Sequence, residues 1–267
     1  MDRINQINNQ EQIKKALDKS YELLSPWSDL HRHERDYMHM VIQNVLEFVP
    51  NREAKVMDLG SGVGILAIAL RLLGYKVDGV EKYVFSDKDS PMYKVENVEK
   101  LKNVWLEHEF NVFEYDVVGG IPDSYNEKYE VVINTAVIEH VKDPKLFLNT
   151  IYNLLENNGI VITMTPNSTV LHQRIRFLLG KSVNWDIKEF FNLGENGFTG
   201  HWREYTKNEL IQIHQWSGFN VVKAINTNIF SLISKISFAK LLHLLVRLVS
   251  YLLPNSREAN IIVAQKS

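Results

Sequence analysis

The chain has 267 residues, 45% hydrophobic and 23% charged, with a formal net charge of −2 and no cysteine. This length suits one large domain or two small ones, burying roughly three quarters of the unfolded surface, and the composition excludes a disordered or low-complexity chain. The near-zero charge offers no global attraction to phosphate and argues against a general nucleic-acid binder; the missing cysteine excludes disulfide scaffolds, Cys-ligated zinc and thiolate nucleophiles.

The polar start carries no apolar stretch, so it is no secretory signal and a cytoplasmic setting is expected. Residues 1–24 read as a helix with Ile4, Ile7, Ile13, Leu17 and Leu24 as its apolar positions, interrupted by Pro26. His33 to Val49 fits a second helix, with Tyr37, Val41, Ile42, Val45, Leu46 and Val49 at helical spacing. The pattern then changes. Lys55 to Leu59 is a short apolar strand running into glycines, Gly64 to Leu73 a helix stopped by Gly74, and Lys76 to Val80 a second strand. Trp105 to Tyr115 is mixed, with room for a third. Tyr129 to Asn134 is apolar throughout, as befits a strand buried on both faces. Asp143-Pro144 caps a helix running to Leu155, Asn157-Asn158-Gly159 ends it, and Gly159 to Thr165 is the next buried strand. Strands alternating with helices imply crossovers and a parallel sheet. The stretch 167–200 is irregular. Thr206 to Glu209 is a capping box opening a helix through Trp216, Phe219 to Ala224 is a strand, and Asn260 to Gln265 is the last one.

The sharpest motif is Asp58-Leu59-Gly60-Ser61-Gly62-Val63-Gly64, between a strand and a helix. Glycines let the backbone turn sharply and approach a ligand, which the loop delivers to a helix N-terminus at the carboxyl edge of the sheet. A dinucleotide fingerprint needs a third glycine where Ile65 stands. Asp58, two residues before Gly60, suits a ligand ammonium and would be unwelcome beside pyrophosphate. Glu81, 23 residues after Asp58, ends the second strand and can accept hydrogen bonds from two ribose hydroxyls; Asp116, after the third, can meet an adenine amino group.

This constellation resembles the class I S-adenosylmethionine-dependent methyltransferases, small-molecule type, similar to those of quinone, sugar and secondary-metabolite pathways. The resemblance rests on VMDLGSGVG (56–64), GVE (79–81), EYD (114–116), VVINTAVIEHVKDP (131–144), LLENNGIVITMTPN (154–167) and HWREYTKNELIQIHQWSGF (201–219). It implies a Rossmann-like α/β fold: a seven-stranded, mostly parallel sheet with helices on both faces and the last strand antiparallel. Residues 1–50 form an N-terminal helical cover. Residues 51–267 form the methyltransferase domain, with an acceptor-side loop at 167–205 and a helical insertion at 229–254. The implied cofactor is S-adenosyl-L-methionine. Asp58, Gly60, Gly62 and Gly64 would line its methionine part, Glu81 would bind its ribose, Asp116 and Val117 would lie by its adenine, and Asn134 and Thr135 would border its sulfonium; Ser61 and Lys82 are further expected cofactor-binding residues.

The acceptor is expected to be a small molecule. The chain lacks the Asn/Asp-Pro-Pro-Tyr element of nucleic-acid amino-methyltransferases and the cysteine of pyrimidine C5 methylation, so no nucleic-acid substrate is expected and O-methylation is favoured. Two histidines are candidate catalytic groups because imidazole titrates near neutrality. They are His140, in the Glu139-His140 pair, and His201, which follows a flexible run from Gly194 to Gly200. The alternatives are a turn-satisfying role for His140 and an apolar staple of Trp202 and Tyr205 ahead of the Thr206 cap. His172, Arg174 and Arg176 form a basic patch that either holds an anionic acceptor or is a solvated helix face. Trp27, His31 and His33 lie where the family places an acceptor-site cover; His31-x-His33 lacks further ligands for zinc, and no metal is expected.

Ile229 to Leu253 is 25 residues long but carries Lys235, Lys240, His243 and Arg247, so it reads as basic amphipathic helix rather than membrane span. Three roles stay open for it: an insertion packed on the domain, a peripheral membrane contact, or a homodimer face. The matching functional alternatives are a membrane-associated methyltransferase with a lipid-linked acceptor and a non-catalytic nucleoside-binding protein.

Overall fold

The computed structural model describes residues 3–25, 27–82, 95–117, 127–184, 186–191, 200–228 and 248–267. Its strands are β1 (Lys55–Leu59), β2 (Lys76–Val80), β3 (Asn111–Phe113), β4 (Tyr129–Thr135), β5 (Leu155–Pro166), β6 (Phe219–Thr227) and β7 (Ala259–Lys266). They form one sheet in the order β3-β2-β1-β4-β5-β7-β6. β1, β2, β3, β4 and β5 pair in parallel, and β7 runs antiparallel to both β5 and β6. This is the Rossmann-like arrangement expected, with the last strand reversed.

Helices cover both faces. α1 (Arg3–Leu23), α2 (Arg35–Phe48), α3 (Ile65–Leu72) and α4 (Val95–Glu107) contribute to one apolar cluster; α5 (Pro144–Leu154) and α8 (Lys207–Trp216) contribute to the other. Side chains alternate across a strand, so Val131 and Ile133 of β4 enter the first cluster and Val132 the second. Ile13 and Leu17 of α1 and Val41, Ile42 and Val45 of α2 are fully buried in the cluster that holds Val56 of β1. Each such side chain contributes roughly 1.5–3 kcal/mol. A hydrogen bond from Ser20 Oγ to the carbonyl of Ile65, 2.7 Å, ties α1 to the first turn of α3. The N-terminal helices are thus fastened at the glycine loop. The remaining helices are the short α6 (Leu171–Leu178) and α7 (Ile187–Phe191).

Three boundaries differ from the sequence reading. The mixed stretch at Trp105 is the end of α4, whose buried Leu101 and Trp105 lie one helical turn apart; only Asn111–Phe113 is strand. β5 starts at Leu155 rather than Gly159. The Asn157-Asn158-Gly159 run bulges out of the pairing as a register shift between the pairs Tyr129–Leu155 and Val131–Ile160, with Asn158 at φ 63°. β6 continues to Thr227, pairing with β7 as far as Ala259. The amphipathic helix expected at 229–253 lies outside the described residues up to 247; residues 248–252 are helical. The run before Gly200 also lies outside them. Among the described residues, no helix is long and apolar enough to cross a membrane.

Candidate active site

The glycine loop joins β1 to α3 at the carboxyl edge of the sheet. The amides of Gly60 and Ser61 both donate to the carbonyl of Val80 at the end of β2, at 2.8 and 3.1 Å. The amide of Gly62 donates to Glu81 Oε2 at 2.8 Å, and Trp105 Nε1 donates to the carbonyl of Val63 at 3.0 Å. Two glycines serve different ends. Gly60 has φ 74°, and a Cβ there would stand 2.5 Å from Val137 Cγ2, so packing forbids a side chain. Gly62 has φ 53° and nothing within 4 Å of its would-be Cβ; its backbone faces open space.

That space is a cavity of about 150 Å³ lined by Asp58, Gly60, Ser61, Gly62, Val63, Thr135 and Ala136 from the sheet edge, and by His31, Glu34, Tyr37 and Met38 from the N-terminal segment. It is smaller than the roughly 300–1,000 Å³ of drug-sized ligand sites, which fits one end of a ligand. Asp58 is fully buried, its Oδ1 has no hydrogen-bond partner among the described residues, and the same is true of Ser61 Oγ. Burial, and then the neighbouring Glu81, push the Asp58 carboxyl up to about 7. An acid in that state gains from a cation. The α-ammonium of S-adenosylmethionine is such a group, so these residues fit the methionine end of that cofactor.

The sequence placed the cover histidines on the acceptor side; the cavity instead brings His31 to the Asp58 end. His31 Nδ1 meets Glu34 Oε1 at 3.1 Å, and this bond raises the His31 pKa. Tyr37 hydrogen-bonds Glu34, and burial raises its phenol well above the usual range. Glu34 and Tyr37 were missed, although both follow His31 at three-residue steps that keep to one helical face. Of the other expected cofactor residues, Gly64 backs onto Phe110 and Trp105, and Glu81 holds the loop amide. Lys82 Nζ pairs with Asp116 Oδ2 at 2.5 Å, and Val117 is buried with Leu59 and Val80. Asn134 does not line the cavity. Its side chain lies on the opposite face of the sheet, where Nδ2 donates to Thr163 Oγ1 at 3.0 Å; Thr163 Oγ1 in turn meets Nε2 of the buried His214 at 2.9 Å.

Beyond Ala136 the chain makes a 3-10 turn, Ile138–His140. It brings the two candidate histidines together: the rings of His140 and His201 meet edge to face, 4.8 Å between centroids and 83° between planes. His140 Nδ1 lies 3.1 Å from the carbonyl of Gly200, and His201 Nδ1 lies 2.8 Å from Glu204 Oε1. The carbonyl of Glu139 accepts the amides of Trp202 and Arg203, so the segment carrying His201 is sewn to the turn carrying His140. Beneath the rings, Glu139 is fully buried. Its Oε2 accepts Thr165 Oγ1 at 2.8 Å, its Oε1 has no hydrogen-bond partner among the described residues, and burial pushes it up to about 7. Glu139, His140 and His201 hold one donor atom each within 4.8 Å of the others. Glu204 was missed by sequence reasoning, though it lies three residues after His201.

The basic patch resolves into tethers. Arg174 donates to the carbonyls of Thr169, Pro254 and Asn255, and Arg176 to that of Ser182. Arg174 fastens α6 to the chain before β7, while Arg176 closes on the turn that follows α6. Lys142 Nζ sits 4.5 Å from the Trp202 ring centroid, and Phe190 of α7 packs edge to face on Trp202.

Comparison with known proteins agrees with this geometry. A family model described as a methyltransferase domain matches residues 30–224. A ubiquinone biosynthesis O-methyltransferase of Pelagibacter ubique is 24% identical, over 80% of this chain and 88% of that protein. Its counterpart in Rickettsia prowazekii is 26% identical over 58% of this chain and 60% of that protein. Among solved structures, an S-adenosylmethionine-dependent methyltransferase from Archaeoglobus fulgidus has TM-score 0.51 and 18% identity, covering 86% of this chain and 94% of that one. Magnesium protoporphyrin IX methyltransferase from Synechocystis PCC 6803, solved with bound S-adenosylhomocysteine, has TM-score 0.53 and 16% identity, covering 89% and 87%. At these identities the structural likeness speaks for the fold.

Proposed function

The chain belongs to the methyltransferase-domain family and is an S-adenosylmethionine-dependent methyltransferase; from that premise we propose that it methylates a hydroxyl oxygen of a small-molecule acceptor in a biosynthetic pathway, of the sugar, quinone or secondary-metabolite kind. The observation that carries this reading is the Glu204–His201 pair at 2.8 Å, stacked on His140 four residues beyond the cavity-lining Ala136. A hydroxyl is a poor nucleophile until its proton is taken, and a carboxylate-oriented imidazole is suited to take it.

The bound cofactor would supply a methyl carbon on a positive sulfur. Asp58 would hold its ammonium, and the Gly62 backbone would let it lie close. With Nδ1 committed to Glu204, His201 presents Nε2 to the acceptor O–H and keeps the proton as the oxygen becomes the nucleophile. His140, anchored through Nδ1 on the Gly200 carbonyl, fixes the His201 ring by its edge. Trp202 and Phe190 form an aromatic flank that supports an aromatic or alicyclic acceptor. The named relatives act in ubiquinone biosynthesis, which supports a phenolic acceptor. The test is an acceptor panel of catechols, sugars and amines, following S-adenosylhomocysteine release and the site of the new methyl group. Methylation at oxygen is expected; methyl on nitrogen or carbon alone would overturn the reading, and cofactor binding with no methyl transfer to any acceptor would return the chain to nucleoside binding.

A second reading, catalysis at a membrane on a lipid-linked acceptor, is favoured by exposed apolar side chains. Phe177, Leu178 and Phe191 of α6 and α7 and Leu252 are 71%, 83%, 82% and 82% exposed. The Arg174 tethers hold α6 beside 254–255, and Phe190 links α7 to Trp202 next to the histidine pair. Flotation with anionic liposomes at low salt checks this: a chain that stays at the bottom of the gradient acts on a dissolved acceptor.

A further inference from the structure

Glu139 has no part in the steps above, yet it is the most buried charged group near them. Its exposure is zero, and every polar contact it makes leads to one of the two histidine-bearing segments or to β5. Its carbonyl holds the amides of Trp202 and Arg203, its Oε2 is fixed by Thr165, and its Oε1 is buried with no partner among the described residues. A carboxylate oxygen left bare in low dielectric is costly. A positive charge formed beside it would favour it, and His140 and His201 each hold a ring nitrogen within 4.8 Å of it. The groups facing Glu139 are His201, which favours its ionised form, and Glu204 and Tyr205, which oppose it; His140 lies over it and Thr165 is its neutral partner on β5.

We propose that Glu139 is a positioning residue for His201: its buried carboxylate is the counter-charge that appears in place when His201 takes the acceptor's proton. This rests on the reading of His201 as the base. In that step the acceptor O–H bond breaks and the proton stays on His201 Nε2 until it exchanges with solvent; no proton passes to Glu139. Glu204 holds Nδ1 from the more exposed side and sets the ring's orientation. Glu139 works from beneath, where interactions between charges are strongest.

The experiment titrates the histidines by NMR, with isotope-labelled histidine and no acceptor, in wild-type protein and Glu139→Gln. The expected result is a drop of about tenfold in the proton affinity of His201, partly restored in Glu139→Asp. Turnover at pH 7 should fall about tenfold, with KM for the cofactor unchanged and the acidic limb of the kcat profile following the NMR titration. If Glu139→Gln does not fold, Thr165→Val, which removes the donor to Oε2 and favours neutral Glu139, should lower the His201 proton affinity in the same direction. An unchanged His201 titration in folded Glu139→Gln or Thr165→Val overturns the proposal. So does activity abolished by a chelator and restored by a divalent cation only when Glu139 is present, which would make Glu139 a metal ligand. The titration needs no acceptor, so it stands or falls separately from the assignment of O-methylation.

Discussion

At the cofactor end, the loop's contacts come from one short run of chain: Asp58 to Gly64, clamped by Val80, Glu81 and Trp105. At the acceptor end, a turn at 138–140 meets a segment 60 residues further on, through His140 and Gly200 and through Glu139 and Trp202. The first region is set by a rigid strand-to-helix joint with the sheet behind it. The second depends on two loops agreeing about one place. A fault at the first should therefore remove binding, and a fault at the second should remove chemistry while leaving binding intact.

The largest effects break the first region. Gly62→Arg fills the open side of the loop with a side chain at a positive φ, and Asp58→Ala removes the buried carboxyl. Both are expected to lose cofactor binding by isothermal calorimetry; wild-type affinity in either would show that the cavity is not the methionine site. At the second region, His201→Ala is expected to lower turnover roughly 10²–10⁴-fold with the calorimetric Kd for the cofactor unchanged. If both quantities moved together, the two regions would be one mechanical unit and the contrast would fail. Glu204→Gln should cost less, roughly tenfold in turnover, because it keeps a hydrogen-bonding partner for His201 Nδ1 and loses only the charge of a half-buried pair.

This contrast also explains what the sequence made legible. The glycine loop and the alternation of strands and helices express local patterns: glycines after a strand, unbroken apolar runs, capping residues. The reversed last strand came from the family resemblance, because pairing between distant strands leaves no local mark. Asp58, Gly60, Ser61, Gly62 and Thr135 line the cavity because each lies at or next to a strand end, and a strand end is readable. Asn134, one residue earlier than Thr135, faces the opposite side, since successive side chains on a strand alternate; the motif alone did not say which of the two points inward. Glu34, Tyr37 and Glu204 went unread because their roles depend on which side of a short helix or turn faces the site. The register of Glu139 was in plain view beside His140, but its burial is a property of the sheet above which the turn sits.

The smallest predicted effect sharpens the comparison most. Asp58 and Glu139 are both raised to about 7 from 3.8 and 4.5. The folded protein therefore keeps two protons that the unfolded chain has released, and their contribution to stability is lost as pH rises from about 4 through 7. The buried His214 is lowered to about 4 from 6.5. It binds its proton in the unfolded chain first, so its contribution is lost as pH falls from 6.5 through 4 and offsets one carboxyl over that interval. Without cofactor, the melting temperature should fall by a few degrees between pH 5.5 and pH 8, and Asp58→Asn should fall less steeply. Bound S-adenosylhomocysteine brings an ammonium to Asp58 but nothing to Glu139, so it should remove the Asp58 share of the slope and leave the Glu139 share. A melting series at three pH values, with and without the ligand, reads this directly. If the ligand abolished the slope altogether, the two buried acids would be coupled across the site; if it left the slope untouched, Asp58 would not be the group that meets the ammonium.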